Sequence, residues 1–360
     1  MIILIGTEDS KRTRFFGKAA QQRGVSFRFI DWKELAGWKD IKKIAAEQFQ
    51  GAVVKIDPPS YQLIKLQDMQ VSLAEYQNFL KELQEACCQR IHSSEEILQV
   101  FQFLNSPKGI LQTLDKRFAK RTLMEHGVSV TEMFSEKPET VQQLLDIMKK
   151  YRAYSVFVKP EYFSGAAGVV ALRQQPSTGR MVAYTSCKLV DSEMLPEGEK
   201  ETCLCNTKTL YRMENSEEIF ALLEELLKLG VIVERWYPKD MLQGKSYDLR
   251  VVYQFGKIEH IVVRQSGGPI TNLHLNNQAV DVECLKLSQE KLADLEELCK
   301  RAMSCFHGLS MAGIDVMLDK GSRKPRIIEL NGQGDLIYQD IYGENRIYGK
   351  QIEELCRQLI

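Results

Sequence analysis

The pattern of apolar and polar residues predicts strands and helices that alternate at the start of the chain. Residues 2–5 are continuously apolar, which is typical of a buried strand, and a helix is predicted over 10–23 with Gly24 at its end. Further strands are predicted at 25–30 and 51–56. Because strands that alternate with helices indicate βαβ units, we expect a parallel sheet. No Gly-x-Gly-x-x-Gly motif follows the first strand, so dinucleotide binding has no support.

Later in the chain the same signals predict a mixture of helices and strands. The tripeptide Asn105-Ser106-Pro107 breaks the pattern and predicts a domain boundary. Residues 63–90, rich in Gln and Glu, predict a solvated helix pair, whereas residues 176–206, with their Pro, Gly, Ser and Glu, predict an extended loop or insertion. The remaining predicted elements are helices at 111–126 and 138–151, a helix capped by Asn215, strands at 155–160 and 231–234, and a hairpin between 248 and 264.

Composition narrows the class of protein. The chain has 360 residues, of which 44% are hydrophobic and 27% charged, and this indicates an ordinary globular protein of two or three domains. Its 48 basic and 48 acidic residues balance, so we expect neither nucleic acid nor a membrane as a partner, since both normally require a basic excess. Nine cysteines without paired Cys-x-x-Cys units argue against a disulfide framework or a zinc site and favour reduced thiols in the cytoplasm. The apolar start is too short for a signal peptide or a membrane-spanning helix.

Two segments, 313–319 and 326–331, predict an antiparallel hairpin with acids on one face. In this register Asp315 lies opposite Glu329, and Asn331 follows on the same face. Facing side chains in such a pair are about 4.5–5.5 Å apart, where two acids repel each other, and a cation such as Mg²⁺, which prefers oxygen ligands, would remove that repulsion. The alternative is an exposed face whose acids contact water. The apolar pairs predicted on the opposite face are Ile314 with Leu330 and Val316 with Ile328.

Lysine and arginine side chains form a second group of candidates. Lys159 ends a predicted strand before the small residues 164–168, and a lysine beside accessible backbone N–H groups suits a phosphate, although a structural turn is the alternative. Asp248 and Arg250 share one strand face, which Arg264 would join from the partner strand. Arginines gathered in this way suit a carboxylate or a transferring phosphoryl group, and a surface ion-pair ladder is the alternative.

The order of these elements resembles the ATP-grasp superfamily, and the glutathione-synthetase and RimK-type ligases are the most similar members. The resemblance spans about residues 105–340. It implies an α/β (α+β) fold with a Rossmann-like N-terminal βαβ domain at 1–104, a central ATP-grasp subdomain at 105–234 and a C-terminal subdomain at 235–360, with the nucleotide between the two subdomains. The residues that carry the resemblance are Lys116, Lys159, Glu234, Asp248, Arg250, Arg264, Asn272, Asp315, Glu329 and Asn331.

The resemblance also implies roles for individual residues. Those expected to contact ATP phosphates are Lys116 and Lys159, beneath a loop that contains Ser164, Gly165 and Gly168. Those expected to meet adenine and ribose are Glu234, Arg235 and Trp236, with Asp248 nearby. Those expected to line the acyl-transfer site are Arg250, Arg264 and Asn272. Those expected to hold Mg²⁺, with Mn²⁺ as a substitute, are Asp315, Glu329 and Asn331.

The activity implied by the resemblance is that of an ATP-dependent ligase. A small-molecule or peptide carboxylate would be phosphorylated to an acyl phosphate, and an amine or thiol would then displace phosphate, which in the amine case forms a C–N bond. The alternatives are a phosphotransferase on the same fold and a non-catalytic nucleotide-binding module.

Four departures from the RimK-type pattern leave the substrate open. Ile270 stands where those ligases tend to carry an arginine, the residues after His274 lack a glycine pair, and no Pro-Gly turn follows Asn331. The span of 75 positions from Lys159 to Glu234 is also longer than expected for this subdomain. All four lie towards the acceptor side of the site. For His274 itself we expect packing or hydrogen bonding rather than a ligand role.

Overall fold

The structure is a computed structural model that describes residues 1–60, 64–90, 97–191, 202–334 and 336–359. Within these ranges the strands form sheets of four, five and six strands and a separate two-stranded ribbon. Helices accompany each of the three larger sheets. The α/β class predicted from the sequence is therefore confirmed.

The N-terminal region is built on a four-stranded parallel sheet. Its elements are β1 (Ile2–Gly6), α1 (Lys11–Gln22), β2 (Arg28–Asp31), α2 (Trp32–Ala36), α3 (Ile41–Gln48), β3 (Val53–Ile56), α4 (Leu66–Cys87), β4 (Cys88–Arg90), β5 (Ile97–Gln99) and β6 (Gln102–Phe103). The strand order is β2-β1-β3-β6, and all neighbours are parallel, as the alternating pattern predicts. The predicted helix pair over 63–90 is wrong, because α4 is a single helix. Its Gln and Glu residues mask a buried stripe of Tyr76, Leu80 and Leu83 at helical spacing.

The central region is built on a five-stranded antiparallel sheet. Its elements are α5 (Pro107–Leu114), α6 (Lys116–Glu125), α7 (Val141–Lys150), β7 (Ser155–Pro160), β8 (Val170–Gln174), β9 (Met181–Asp191), β10 (Thr202–Met213), α8 (Ser216–Leu227) and β11 (Val231–Arg235). The strand order is β10-β9-β8-β7-β11. The helix predicted over 111–126 divides at Asp115, whose Oδ1 accepts a hydrogen bond from Phe118 N at 2.8 Å and caps α6.

The loop predicted over 176–206 is confirmed for 176–180, which form a turn, and is wrong for 181–191 and 202–206, which are strands. Strands β9 and β10 pair there, and Cys205 lies opposite Lys188. The alternation that produces β9 consists of buried Met181, Ala183 and Cys187, and it is obscured by the polar residues between them. Residues 192–201, which include much of the segment that suggested a loop, lie outside the described residues.

The C-terminal region is built on a six-stranded sheet. Its elements are β12 (Met241–Leu242), β13 (Lys245–Gln254), β14 (Lys257–Ser266), β15 (Gln278–Asp281), α9 (Gln289–Ser304), β16 (Met311–Leu318), β17 (Pro325–Asn331), α10 (Tyr338–Ile341) and α11 (Arg346–Arg357), with 3₁₀ turns at Leu273–Leu275 and Val282–Leu285. The main path is β15-β14-β13-β16-β17, and β12 pairs with β13. The predicted hairpin of β13 and β14 is confirmed.

The hairpin of β16 and β17 has the predicted register at one end only. Asp315 lies opposite Glu329, as expected. A bulge after Asp315 then shifts the pairing, so that Val316 lies opposite Ile327 and the predicted pair with Ile328 is wrong. A bulge inserts an extra residue into one strand and so shifts the pairing of the residues beyond it. As a result Ile328 lies on the acidic face of the hairpin, where it lines a cleft.

The last helix returns to the first sheet. Residues Tyr348, Ile352 and Leu355 of α11 are buried in one apolar cluster with Ile2 and Leu4 of β1. The predicted domain limits at 104 and 234 stay predictions, but the packing of α11 joins residues that those limits separate.

Two findings bear on the predictions from composition. All nine cysteines are free, and five of them are buried, as expected for reduced thiols. Among the residues that the structure describes, no helix combines the length and the apolar character needed to cross a membrane.

Candidate active site

Most of the predicted site residues line one cleft between the five-stranded and six-stranded sheets. The cleft has a volume of about 80 Å³. The predicted residues that line it are Lys116, Lys159, Glu234, Arg235, Asp248, Arg264, Asn272, Asp315 and Glu329. Ser164 and Gly165 instead line a larger cavity next to it. The fold therefore brings together side chains that lie more than 200 positions apart in the sequence.

A buried carboxylate and two buried lysines form the centre of one wall. The Oε2 atom of Glu234 lies 2.9 Å from Nζ of Lys159, and its Oε1 atom lies 3.4 Å from Nζ of Lys120. Thr131 donates a hydrogen bond to Glu234 at 2.7 Å. Burial raises the pKa of Glu234, but the two lysines outweigh it and hold that pKa below its usual value. Burial also lowers the pKa of Lys120 to about 8, because Glu234 compensates only in part.

Alternating acids and arginines form the opposite wall. Arg264 contacts Asp248 through two hydrogen bonds of 2.7 and 2.9 Å and reaches Asp315 at 3.0 Å. Arg250 lies 2.7 Å from the other oxygen of Asp315. The sequence offered a surface ion-pair ladder as the alternative to an anion site. The ion pairs are present, but Arg264 is only 4% exposed, so they do not form a surface ladder. Burial raises the pKa of Asp248, yet Arg264 and Lys239 outweigh it and lower that pKa.

The candidate metal ligands lie next to one another at the end of this wall. Burial raises the pKa of Asp315, although Arg250 opposes the effect, and its Oδ1 atom makes no hydrogen bond of normal geometry. Lys116 lies 3.3 Å from Glu329 Oε1. With its amide oriented to satisfy both ends, Asn331 donates to Glu329 at 3.2 Å and accepts from Arg250 at 2.9 Å. In the described part of the chain no three His, Cys, Asp or Glu side chains form a metal site, so a cation here would rely on two acids and an amide. The Oδ1 atom of Asp315 forms an ion pair with Arg250, and a cation bound here would share this buried oxygen with the arginine.

The residues predicted to meet adenine lie at the end of β11. Arg235 pairs with Glu132 at 2.5 Å, and both side chains are partly exposed. The ring of Trp236 packs on Phe157 at 5.3 Å and beneath the Arg173 guanidinium at 4.7 Å. Arg235 lines the cleft, whereas Trp236 packs on side chains of the five-stranded sheet. The structure therefore places this segment at the edge of the cleft, and its role with adenine stays a prediction.

The small-residue loop separates the cleft from the larger cavity. Phe163 and Ala167 line both spaces. Gly168 has a φ of 72°, and a Cβ there would lie 2.5 Å from Cγ of Pro160, so only glycine fits. A Cβ on Gly165 would lie 3.6 Å from the ring of His274. The loop is therefore a tightly packed wall that borders two spaces.

Two site residues were missed by the sequence analysis. Lys120 follows Lys116 by four positions on α6, so the two lie on one helix face, and this spacing could have identified it. Lys239 has a side chain that is only 8% exposed, contacts Thr271 at 3.0 Å and Asp248 at 3.5 Å, and has a pKa lowered by burial. It lies in an irregular segment after β11, where no periodic pattern marks it.

Comparison with solved structures reveals proteins of the same architecture. D-cycloserine synthetase DcsG matches 99% of this chain and 100% of its own, with a TM-score of 0.60 and 14% identity. Macrocyclase MdnC from Microcystis aeruginosa MRC, bound to precursor peptide MdnA, matches 99% of both chains, with a TM-score of 0.56 and 12% identity. The ATP-grasp ligase PsnB, complexed with precursor peptide PsnA2 and AMPPNP, matches 99% of this chain and 98% of its own, with a TM-score of 0.51 and 14% identity. No family model and no curated protein matches the sequence. The TM-scores show a shared fold, and at these identities they show the fold alone.

Proposed function

From the ATP-grasp fold of this chain, we propose that the protein is an ATP-dependent ligase that activates a carboxylate and joins it to an amine or a thiol. The observation that carries the proposal is the cleft between the sheets, where lysines face paired acids. Lys116, Lys120 and Lys159 suit phosphate oxygens, and Asp315 with Glu329 suits a divalent cation. ATP would therefore lie between the two sheets, with its phosphates at the lysines.

The proposed reaction has two steps. An oxygen of the substrate carboxylate attacks the γ-phosphorus, ADP leaves, and an acyl phosphate forms. The amine or thiol then attacks the acyl carbon, phosphate leaves, and the proton of the nucleophile passes to solvent or phosphate. The protein contributes orientation and charge neutralisation, which lower the barrier to phosphoryl transfer.

Side chains of the second wall would hold the cation and the transferring group. Mg²⁺, when bound, would neutralise charge on the phosphates, and Mn²⁺ would be expected to replace it. Asp315, Glu329 and Asn331 would hold the ion. Arg250 would supply positive charge to the acyl-transfer site, and Arg264 would keep Asp315 in place through its contacts with both neighbouring acids.

Nucleotide binding requires a change of the cleft. Its volume of about 80 Å³ is smaller than the roughly 300–1,000 Å³ of small-molecule sites, so the two sheets must move apart. Lys159 is held by Glu234, and it would exchange this carboxylate for a phosphate. Because the new partner is also an anion, the lysine stays neutralised throughout.

Denaturation with and without Mg·ATP tests nucleotide binding. A ligand that binds only the native protein adds about 2.7 kcal/mol at a concentration of 100 Kd, so wild type should be clearly stabilised. Lys159→Met should lose most of this gain, whereas Lys228→Met, on an exposed lysine directly after α8, should keep it. Absence of stabilisation in wild type at millimolar Mg·ATP would refute nucleotide binding.

Hydroxylamine tests the ligase chemistry, because it traps acyl phosphates as hydroxamates. With a mixture of carboxylates, Mg·ATP and hydroxylamine, we expect ADP and hydroxamate in equal amounts. Release of ADP together with a stable phosphorylated product, and without hydroxamate, would instead indicate a phosphotransferase.

A further inference from the structure

A second cavity, much larger than the cleft, lies beyond the small-residue loop. It has a volume of about 960 Å³, at the upper end of the range for small-molecule sites. One wall is α4 of the N-terminal region, another is β10, and a third is the loop itself with the turn after Asn272. Strand β10 connects these walls, because Asn206 N donates to Ile64 O at 2.8 Å and Lys208 O accepts from Asn276 at 3.5 Å.

The cavity is mainly apolar. Its apolar lining residues are Pro58, Pro59, Ile64, Met69, Leu73, Tyr76, Leu114, Phe163, Ala167 and Leu275. Tyr76, Leu114, Phe163 and Leu275 are themselves buried, so this surface belongs to the packed interior rather than to scattered exposed residues. Each apolar group that a ligand places here leaves water, which favours binding.

The charge of the lining favours an anion. Lys208 and His274 line the cavity, and none of its lining residues within the described ranges is Asp or Glu. A protonated amine would therefore find no carboxylate partner in this lining, whereas a carboxylate would find positive charge and N–H donors.

The position of His274 places this charge beside the cleft. Its ring lies next to Gly165 of the loop that separates the two spaces. The same turn carries Asn272, which lines the cleft, and His274, which lines the cavity. A carboxylate held by His274 would thus lie at the boundary where the γ-phosphate is expected.

We propose that this cavity binds the donor substrate and that the donor is a carboxylic acid with a large apolar body. The apolar body packs on Met69, Leu73 and Tyr76 of α4, and His274 holds the carboxylate towards the cleft. The assignment rests on the proposed ligase function, and it adds the chemical class of the acid that is activated. It also gives His274 a binding role, where the sequence suggested packing or hydrogen bonding.

Calorimetric titration of acetylated dipeptides in the presence of Mg²⁺ and AMPPNP tests the proposal without requiring turnover. N-acetyl-Leu-Phe carries an apolar body and a carboxylate, its C-terminal amide lacks the charge, and N-acetyl-Asp-Ser lacks the apolar body. We expect N-acetyl-Leu-Phe to bind at least tenfold more tightly than either of the others. Equal affinities for the three probes would overturn the proposal.

Variants on α4 and at His274 assign the two parts of the ligand. Leu73→Gln should weaken N-acetyl-Leu-Phe about tenfold, and Met69→Gln provides a second variant should the first fold poorly. Val71→Gln, on a side of the same helix where the side chain is 63% exposed, should bind like wild type. His274→Gln should remove the preference for the acid over its amide. An unchanged preference in His274→Gln, or equal affinity in all three α4 variants, would contradict the assignment.

Binding of AMPPNP in the same titrations separates this proposal from the ligase proposal. We expect the three α4 variants to bind AMPPNP like wild type, since none of the changed α4 residues lines the cleft. If AMPPNP fails to bind wild type, the ligase proposal is wrong. If AMPPNP binds but the dipeptides do not discriminate, only the donor assignment is wrong.

Discussion

Replacement of Glu234 by Gln removes the carboxylate that lies between two buried lysines. Glu234 is 1% exposed, with Lys159 at 2.9 Å and Lys120 at 3.4 Å. Gln keeps the size and polarity of the side chain but leaves both ammonium groups without their anion. Removal of one partner from a buried ion pair costs about 3–5 kcal/mol, so we expect the free energy of unfolding at neutral pH to fall by that amount.

The loss should depend on pH because of Lys120. Its pKa is about 8 in the folded protein, below the ordinary 10.5. In wild type the buried charge therefore lowers the free energy of unfolding in full below pH 8, and this loss disappears as the pH rises to 10.5. Without Glu234 the pKa of Lys120 falls further. The difference between variant and wild type is therefore largest at low pH, where Lys120 is protonated in both. This difference in the free energy of unfolding shrinks by up to about 1.4 kcal/mol per pH unit as Lys120 of the variant loses its proton, and it is constant above pH 8.

Urea denaturation midpoints at several pH values between about 6 and 9 measure this difference. Glu132→Gln is the matched control, because it breaks the pair with Arg235 at two partly exposed side chains and should cost no more than about 1 kcal/mol. Equal losses in the two variants would refute the buried lysine cluster. A loss in Glu234→Gln that does not change with pH would refute the role of Lys120.

Four other substitutions test the metal site and the loop. Glu329→Gln should stop Mg²⁺-dependent ADP release and leave the ligand-free fold intact, because the side chain is 23% exposed. Asp315→Asn should also cost about 3 kcal/mol of stability, since it leaves two arginines without that partner, and wild-type ADP release by Glu329→Gln would exclude the metal site. Gly168→Ala should lower the denaturation midpoint more than Gly179→Ala, although both glycines have a φ of 72°. A Cβ on residue 168 would collide with Pro160, whereas the described structure has no atom within 4 Å of a Cβ on residue 179. Equal losses in the two glycine variants would show that the loop tolerates the added carbon.

The sequence predicted the parts of the site that depend on local periodicity. The antiparallel register places Asp315 opposite Glu329, and strand alternation places Asp248 and Arg250 on one face, because both follow from the two-residue repeat of a strand. The bulge after Asp315 was not predictable in this way, since it is an irregularity that the repeat does not encode.

The choice of partners among charged residues was also not predictable. The sequence suggested that Asp315 and Glu329 repel each other unless a cation intervenes. In the structure Asp315 is held by two arginines and Glu329 faces Lys116. These partners come from strands and helices far apart in the sequence, and their distances depend on how the sheets pack, which no local pattern determines.

The packing of α11 on the first sheet has a consequence for biosynthesis. Chains are made from the N-terminus, and domains generally fold as units in that order. Here β1 contributes Ile2 and Leu4 to a core that is completed by Tyr348, Ile352 and Leu355. Phe16, Ala19 and Ala20 of α1 belong to the same core, so this face of the first sheet is covered only in part until residues 346–357 have been synthesised. The N-terminal region is translated first, yet its apolar core is completed only by one of the last segments of the chain to be made.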